Sequence, residues 1–290
     1  MNEAKESAFS CRACHEVRCT PLLRQVPDYY LRTPFQVDYV RCEACGMVQQ
    51  YPMPGNVGPF YAAYPVHANK SWLHERMRRI VLSDVYYDAS KLSSGTTLLD
   101  YGCGDGWYLD SLGPYPLTRL GYEPDPAQAR RVGEQVGVPV FSDSAAMCDA
   151  WKGKVDQIVL HFVLEHVTNL HTTFNVLSEL LAPGGKIYAV VPNIASREFK
   201  LFGERWHGLD APRHTLFPDD VALDAVVKKF PLSLQRSSYV RFPNTFAGSL
   251  AIRMRGHFTQ PLFLLCLPLG MLWSLCDPSG NLSFEWKKDG

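Results

Sequence analysis

The stretch TTLLDYGCGDGWYLDSL, residues 96–112, constrains what this chain can fold into more than any other. A run of β-branched and apolar residues stops at Asp100, glycines follow at Gly102, Gly104 and Gly106, and helix-like sequence then begins. The pattern predicts a buried parallel strand, a turn whose glycines let a ligand approach the backbone, and a helix whose N-terminal amides face that ligand.

The spacing of the turn argues against a dinucleotide. A dinucleotide loop reads G-x-G-x-x-G, and Trp107 stands where its last glycine would be. The next predicted strand, LTRLGY, leads into Glu123, where a carboxylate accepts hydrogen bonds from both hydroxyls of an adenosine ribose. Asp143, after the strand VPVF, is placed to receive an adenine amino group.

Strand and helix patterns alternate over about 100 residues of this region. The alternation predicts an α/β fold with a doubly wound parallel sheet, which binds its ligand at the carboxyl ends of the strands. We therefore expect Asp100, Gly102, Glu123, Asp143 and the loop 161–166 to surround one crevice.

Four motifs in order, LLDYGCGDGW, GYEPD, DQIVLHFVLEHV and LAPGGKIYAVVPN, span residues 98–193 and resemble the class I S-adenosylmethionine-dependent methyltransferases. The resemblance implies a Rossmann-like seven-stranded sheet with an antiparallel last strand, here NLSFEWKK. It implies that residues 102–106 line the methionine part of S-adenosylmethionine and that Asp100 helps to hold its amino group. It also implies that Glu123 binds the ribose and that Asp143 lies beside the adenine. The cofactor-binding candidates are Asp100, Gly102, Cys103, Gly104, Gly106, Glu123, Asp143, His161, Tyr61 and Tyr64.

Two CxxC pairs, Cys11 with Cys14 and Cys42 with Cys45, lie ahead of this region. Two such turns bring four thiolates to one Zn²⁺ and fold a segment too small to be held by burial alone. We expect a zinc ribbon with a structural ion; unligated thiols or a redox pair are the alternative, and Cys19 and His15 compete as ligands.

The expected organisation is a ribbon over 1–50, a connector with a helix over 51–90, and a methyltransferase domain over 91–290 with an apolar insert at about 250–277. In the connector, Tyr61 and Tyr64 either close over the site or only pack the linker onto the domain.

Methyl transfer to a hydroxyl or carbon requires removal of a proton, and histidine titrates in the right range. His214, in the loop APRHTLF, is the first candidate base, ahead of His166 and His161, which flank FVLE. Each could instead be a buried structural histidine, and His207 competes with His214. Arg213 is a candidate to hold a phosphate or carboxylate of the substrate.

The apolar segment QPLFLLCLPLGMLWSLC is too short to span a bilayer and contains Pro268 and Gly270, which we expect to interrupt it. It predicts a buried helix, a dimer face or an interfacial membrane segment, the last supported by the cations of RMRGHF and by Trp273.

Lysine plus arginine and aspartate plus glutamate number 29 each, so bulk charge gives no pull toward nucleic acid. The N-terminus is polar, without the apolar core of a secretory signal, and predicts a cytoplasmic protein, or one peripheral to the inner membrane face.

We expect methylation of a small molecule at oxygen or carbon. The expected acceptor is a sugar, a lipid-linked sugar or a secondary metabolite. A CxxC-pair module, then the methyltransferase motifs, then WHGLDAPRHTLFPDD: this order resembles a bacterial group of sugar and natural-product methyltransferases. RNA methylation and a non-catalytic scaffold are the alternatives.

Overall fold

The computed structural model describes residues 9–61, 78, 81 and 83–290. The N-terminal part contributes strands β1 (Cys19–Pro27), β2 (Gln36–Cys42) and β3 (Val48–Gln50). The central part alternates β4 (Thr97–Tyr101), α1 (Trp107–Ser111), β5 (Thr118–Tyr122), α2 (Pro126–Val136), β6 (Val140–Phe141), α3 (Ser144–Trp151), β7 (Val155–His161), α4 (Leu170–Leu180) and β8 (Leu181–Pro192). The C-terminal part holds α5 (Arg197–Phe202), β9 (Leu216–Phe217), α6 (Asp220–Val227), β10 (Leu232–Val240), α7 (Pro243–Arg255), α8 (Gln260–Cys276) and β11 (Asn281–Lys288).

Seven strands form one sheet in the order β10-β11-β8-β7-β4-β5-β6. The strands β8, β7, β4, β5 and β6 run parallel, whereas β11 lies antiparallel between β8 and β10. The predicted Rossmann-like doubly wound sheet with an antiparallel last strand is confirmed.

The sheet is buried on both faces at its centre, as its uninterrupted apolar runs predict. Leu98 and Leu99 are neighbours that point to opposite faces, and both are fully buried. On one face Leu99 belongs to a cluster with Phe174 and Leu177 of α4; on the other, Leu98 packs with Tyr108 of α1. This packing fixes the carboxyl ends of β4, β5 and β7 side by side.

A second sheet has the order β1-β2-β3-β9. Its last strand comes from far along the chain: Val48 pairs with Phe217, and Gln49 with Leu216. The N-terminal module is therefore completed by a strand from the C-terminal part of the chain. The predicted domain boundaries stay a prediction.

The apolar insert forms a hairpin of α7 and α8. We expected Pro268 and Gly270 to interrupt the segment; that was wrong, because α8 is continuous through both. A Cβ on Gly270 would lie 2.4 Å from the Pro243 carbonyl oxygen, so the glycine allows the two helices to approach closely. Among the described residues, no helix is long and apolar enough to cross a membrane.

The predicted connector helix falls largely outside the described residues. Arg78 and Val81 are described and are helical, and Tyr61 ends a short 3-10 turn that begins at Gly58. Tyr64 lies outside the described residues, so its predicted place over the site stays a prediction.

Candidate active site

One cavity of about 1340 Å³ opens at the carboxyl ends of β4, β5 and β7. Pockets for a single drug-sized ligand have volumes of roughly 300–1,000 Å³, so this cavity has room for two ligands side by side. Its first half is lined by residues that follow the three strands. Its second half is lined by the N-terminal module, the connector, the loop after β7, the loop 207–214 and α7. These elements contribute Tyr30, Tyr61, His166, Asp210, His214 and Thr245.

The three glycines after β4 have different roles, although all have positive φ. A Cβ on Gly102 would lie 2.6 Å from Val163, and one on Gly106 would lie 2.5 Å from Val132, so both positions are required for packing. A Cβ on Gly104 would meet nothing within 4 Å, and Gly104 lines the cavity. The close backbone approach predicted for this turn therefore occurs at Gly104.

Two predicted carboxylates line the first half of the cavity. Asp100 is only 3% exposed at the end of β4. Glu123 follows β5, where its Oε2 accepts a hydrogen bond from the amide of Gly104 at 3.1 Å. Burial raises the pKa of Glu123, while the amides of Asp125 and Gly104 oppose that shift. Cys103, also buried, lines the same cavity.

Two predicted cofactor residues do not line the cavity. Gly106 is the N-cap of α1 in a left-handed conformation. Asp143 caps α3, because its carboxylate accepts a hydrogen bond from the amide of Ala145 at 2.8 Å. A contact of either residue with the cofactor stays a prediction.

His161 lines the cavity with its ring lone pair already engaged. Its Nε2 accepts a hydrogen bond from the amide of Tyr87 at 3.1 Å, so the neutral ring carries its proton on Nδ1. That nitrogen faces Asp100 Oδ1 at 3.7 Å. The geometry suits a residue that positions Asp100 better than one that removes a proton.

Sequence reasoning missed a cation beside the first half of the cavity. Arg78 contacts Asp105 in the glycine turn at 2.8 Å, and its guanidinium lies 4.6 Å from the centre of the Trp107 ring. It also donates to the hydroxyl of Tyr86 at 3.3 Å. The aspartate within GCGDG was the available signal, since it is the one charged side chain in that turn.

The second half of the cavity holds two neighbouring histidines. The rings of His166 and His214 are 4.6 Å apart, nearly perpendicular. His214 Nδ1 lies 2.9 Å from the carbonyl oxygen of Gly208, which can only accept, so its proton is on Nδ1 and its lone pair is on Nε2. His166 Nδ1 contacts the hydroxyl of Tyr61 at 2.7 Å.

Burial determines the protonation of this pair. It lowers the pKa of His166 to about 3, with a smaller lowering from His214, and it lowers the pKa of His214 to about 3. Both rings are therefore neutral near pH 7, which leaves a lone pair on Nε2 of His214, while the same burial lowers the proton affinity of that nitrogen.

Glu165 lies beside the two histidines. It is fully buried, and its carboxyl oxygens have no hydrogen-bond partner within the described part of the chain. Burial raises its pKa to about 8. Its ligand atom and those of His166 and His214 lie within 4.8 Å of one another, which makes them, after the four cysteines, a second group with metal-type ligands.

Arg213 does not have a guanidinium available for substrate, contrary to the sequence-based hypothesis. Its side chain is fully buried. It donates two hydrogen bonds of 2.9 Å to Asp28 and two more, of 3.1 and 2.8 Å, to Asp210. This ion triad ties the N-terminal module to the loop that carries His214.

The four predicted zinc ligands converge. Cys11 and Cys45 sulfurs lie 3.5 Å apart, Cys14 and Cys42 sulfurs 3.6 Å apart, and all four lie within 4.8 Å of one another. Tetrahedral ligands at about 2.3 Å from a zinc ion are about 3.8 Å from one another, so the donor set and spacing fit Zn²⁺. Of the two competitors, His15 stacks on His171 and Cys19 begins β1.

Replacing Cys42 with serine should remove the zinc. We expect about one zinc per chain in the wild type by elemental analysis, near-zero zinc in the variant, and a lowered Tm, because the metal organises the module. The control is Cys148→Ser, a half-buried thiol on α3. An ion retained by Cys42→Ser would contradict this assignment and direct attention to the group around Glu165.

A family model described as a methyltransferase domain matches residues 72–235, more than half of the chain. The chain belongs to the methyltransferase-domain family. The resemblance drawn from the four sequence motifs is thereby confirmed. A contact of S-adenosylmethionine with Gly104 or Glu123 stays a prediction.

The curated relatives are ubiquinone biosynthesis O-methyltransferases. The methyltransferase of Methylobacterium sp. (strain 4-46) is 29% identical over 113 residues, 37% of this chain and 45% of the relative. The mitochondrial enzyme of Rattus norvegicus is 25% identical over 184 residues, 56% of this chain and 51% of the relative. The chain thus spans about half the length of the curated relatives it matches.

A solved structure supports the fold. It is a complex of the Haloferax volcanii Trm112 methyltransferase activator with a methyltransferase, 12% identical, with a TM-score of 0.51 over 74% of this chain and 93% of that one.

Proposed function

We propose that this methyltransferase-domain protein transfers a methyl group from S-adenosylmethionine to a hydroxyl or carbon of a small-molecule acceptor. One observation carries the proposal. A single cavity is lined both by the glycine turn and Glu123, where the cofactor would lie, and by a neutral, buried His214.

Different residues of the cavity would bind the cofactor, take up the proton and exclude water. When bound, S-adenosylmethionine supplies an electrophilic sulfonium methyl. Asp100 would bind the cofactor's amino group and Glu123 its ribose hydroxyls, while Gly104 lets the ligand lie against the backbone. As the acceptor forms its bond to the methyl carbon and the carbon–sulfur bond breaks, the acceptor's proton passes to Nε2 of His214. Tyr61 and His166 form the adjoining wall and help exclude water.

The acceptor class follows from the walls of the second half. Tyr30, Tyr61 and the two histidines suit a ring-shaped, hydroxylated molecule more than a phosphate chain, because the guanidinium of Arg213 is committed to carboxylates. The names of the curated relatives point to small acceptors as well. We therefore favour a sugar, a lipid-linked sugar or a secondary metabolite. RNA is the weaker alternative, because the chain has no excess of positive charge.

A release assay tests the proposal. S-adenosylhomocysteine formation is measured against panels of hydroxylated sugars, polyprenyl-linked sugars, phenols and transfer RNA. Release above the acceptor-free rate with a small molecule supports the proposal. Release with RNA alone, falling steeply with added salt, would replace it with the RNA alternative.

A further inference from the structure

Helix α8 presents an apolar face to solvent. Leu264, Leu265, Leu269, Met271, Leu272 and Leu275 are each 40–72% exposed. The opposite face of the helix, with Cys266, Leu267, Gly270 and Ser274, is buried. The predicted buried helix therefore describes only half of α8. Contiguous exposed apolar surface on a helix is typical of a docking face.

Charge at one edge of this face identifies its partner. Arg253 and Arg255 are exposed in the last turn of α7, on either side of the exposed Met254. Neither α7 nor α8 contains an aspartate or glutamate. A second copy docking through the same two helices would thus bring no acidic partner to these arginines, whereas anionic headgroups would.

The length of the helix determines how it would contact a membrane. Seventeen residues rise about 25 Å, less than the roughly 30 Å of hydrocarbon in a bilayer, and Gly270 holds α8 against α7. On a bilayer, α8 would lie in the plane of the interface, with its leucines among the acyl chains and with Arg253 and Arg255 of α7 at the headgroups.

The same hairpin forms part of the cavity wall. Phe242, the N-cap of α7, and Thr245 within it both line the cavity. One side of the hairpin thus covers the second half of the cavity, and the other carries the exposed leucines.

We propose that the α7–α8 hairpin docks the protein on the surface of an anionic phospholipid bilayer. The docked protein holds its cavity at the membrane surface. An acceptor drawn from the bilayer, such as a lipid-linked sugar, is the consequence for substrate class, and that part rests on the proposed function.

Vesicle flotation of the full chain tests the docking. The vesicles contain phosphatidylcholine with 30% phosphatidylglycerol, or phosphatidylcholine alone. We expect binding to the anionic vesicles that weakens severalfold in 0.5 M salt. The double variant Leu265→Glu/Leu272→Glu should lose at least about tenfold in partitioning, because two charges replace two inserted leucines. Arg253→Gln/Arg255→Gln should lose its preference for the anionic lipid.

Controls separate this inference from the function of the cavity. Val221→Glu changes an exposed apolar residue on α6 and should bind vesicles as the wild type does. Calorimetric titration of S-adenosylhomocysteine should give the same Kd for every variant, so failure to dock and failure to bind cofactor are read separately. Absence of vesicle binding, together with a dimer that Leu265→Glu/Leu272→Glu dissociates in light scattering, would overturn the proposal in favour of a dimer face.

Discussion

Replacing His214 with asparagine should lower kcat by roughly 10²–10⁴-fold. Asparagine keeps a donor for the carbonyl of Gly208, which His214 Nδ1 contacts at 2.9 Å, but it has no counterpart to Nε2. The variant should therefore fold and bind S-adenosylhomocysteine as the wild type does. The measurement is steady-state methyl transfer with an acceptor from the release assay.

The pH profile distinguishes a buried base from a solvent-exposed one. Because burial lowers the pKa of His214 to about 3, the imidazole is neutral between about pH 6 and 8. We expect kcat/KM to be flat between about pH 6 and 8, without the step near 6.5 that an exposed histidine gives. The same burial should make the free energy of unfolding decrease as the pH is lowered below about 6.5. In that range the unfolded chain binds protons on this histidine that the folded chain does not bind.

The matched control is His171→Gln, which changes a histidine next to the zinc ligands, where its Nε2 contacts the carbonyl of Ala13. It should leave kcat unchanged. If His214→Asn keeps kcat within about threefold of the wild type, the proton goes elsewhere, and the pair of His166 and Tyr61 becomes the next candidate.

Replacing Arg213 with methionine should lower the free energy of unfolding by about 3–5 kcal/mol. The change leaves the carboxylates of Asp28 and Asp210 without their shared cation, and Asp28 is fully buried. Burial alone would raise the pKa of Asp28, yet hydrogen bonds from Arg213 and its other donors hold it below its usual value. The measurement is urea denaturation followed by circular dichroism.

Two further variants keep this result interpretable. Arg241→Met removes an arginine of an exposed ion pair with Asp84 and should cost about 0–1 kcal/mol. Arg213→Lys keeps the charge but not both pairs of hydrogen bonds. Its loss in the free energy of unfolding should lie between those of Arg213→Met and Arg241→Met. A loss for Arg213→Met no greater than that for Arg241→Met would show that the triad does not hold the module to the domain.

The sequence was sufficient to predict the central sheet. Its signals are short-range and occur in the order that a doubly wound sheet requires. They are a strand ending at Asp100, the glycine turn, and the strand leading to Glu123. The four cysteines were equally readable, because CxxC spacing already brings two sulfurs together. Local patterns of this kind do not depend on the rest of the fold.

The parts that were missed depend on distant contacts. Arg213 contacts Asp28 across 185 positions of sequence, and β9 pairs with β3, where Gln49 lies opposite Leu216. No local pattern reports either pairing. His161 resembled a base in sequence, but its Nε2 is taken by the amide of Tyr87, which only the fold brings near. The orientation of α8 was likewise undetermined, because its apolar residues cover the whole circumference.

Calorimetric titration of S-adenosylhomocysteine into the purified protein is the most direct test of the cofactor site. We expect a Kd roughly in the micromolar range, weakened at least about tenfold in Glu123→Ala, because the ribose hydroxyls lose a charged acceptor. Glu134→Ala, an exposed glutamate on α2, is the matched control and should bind as the wild type does. Absence of binding by a folded protein that carries its zinc would contradict the enzyme assignment and leave a scaffold that retains the fold.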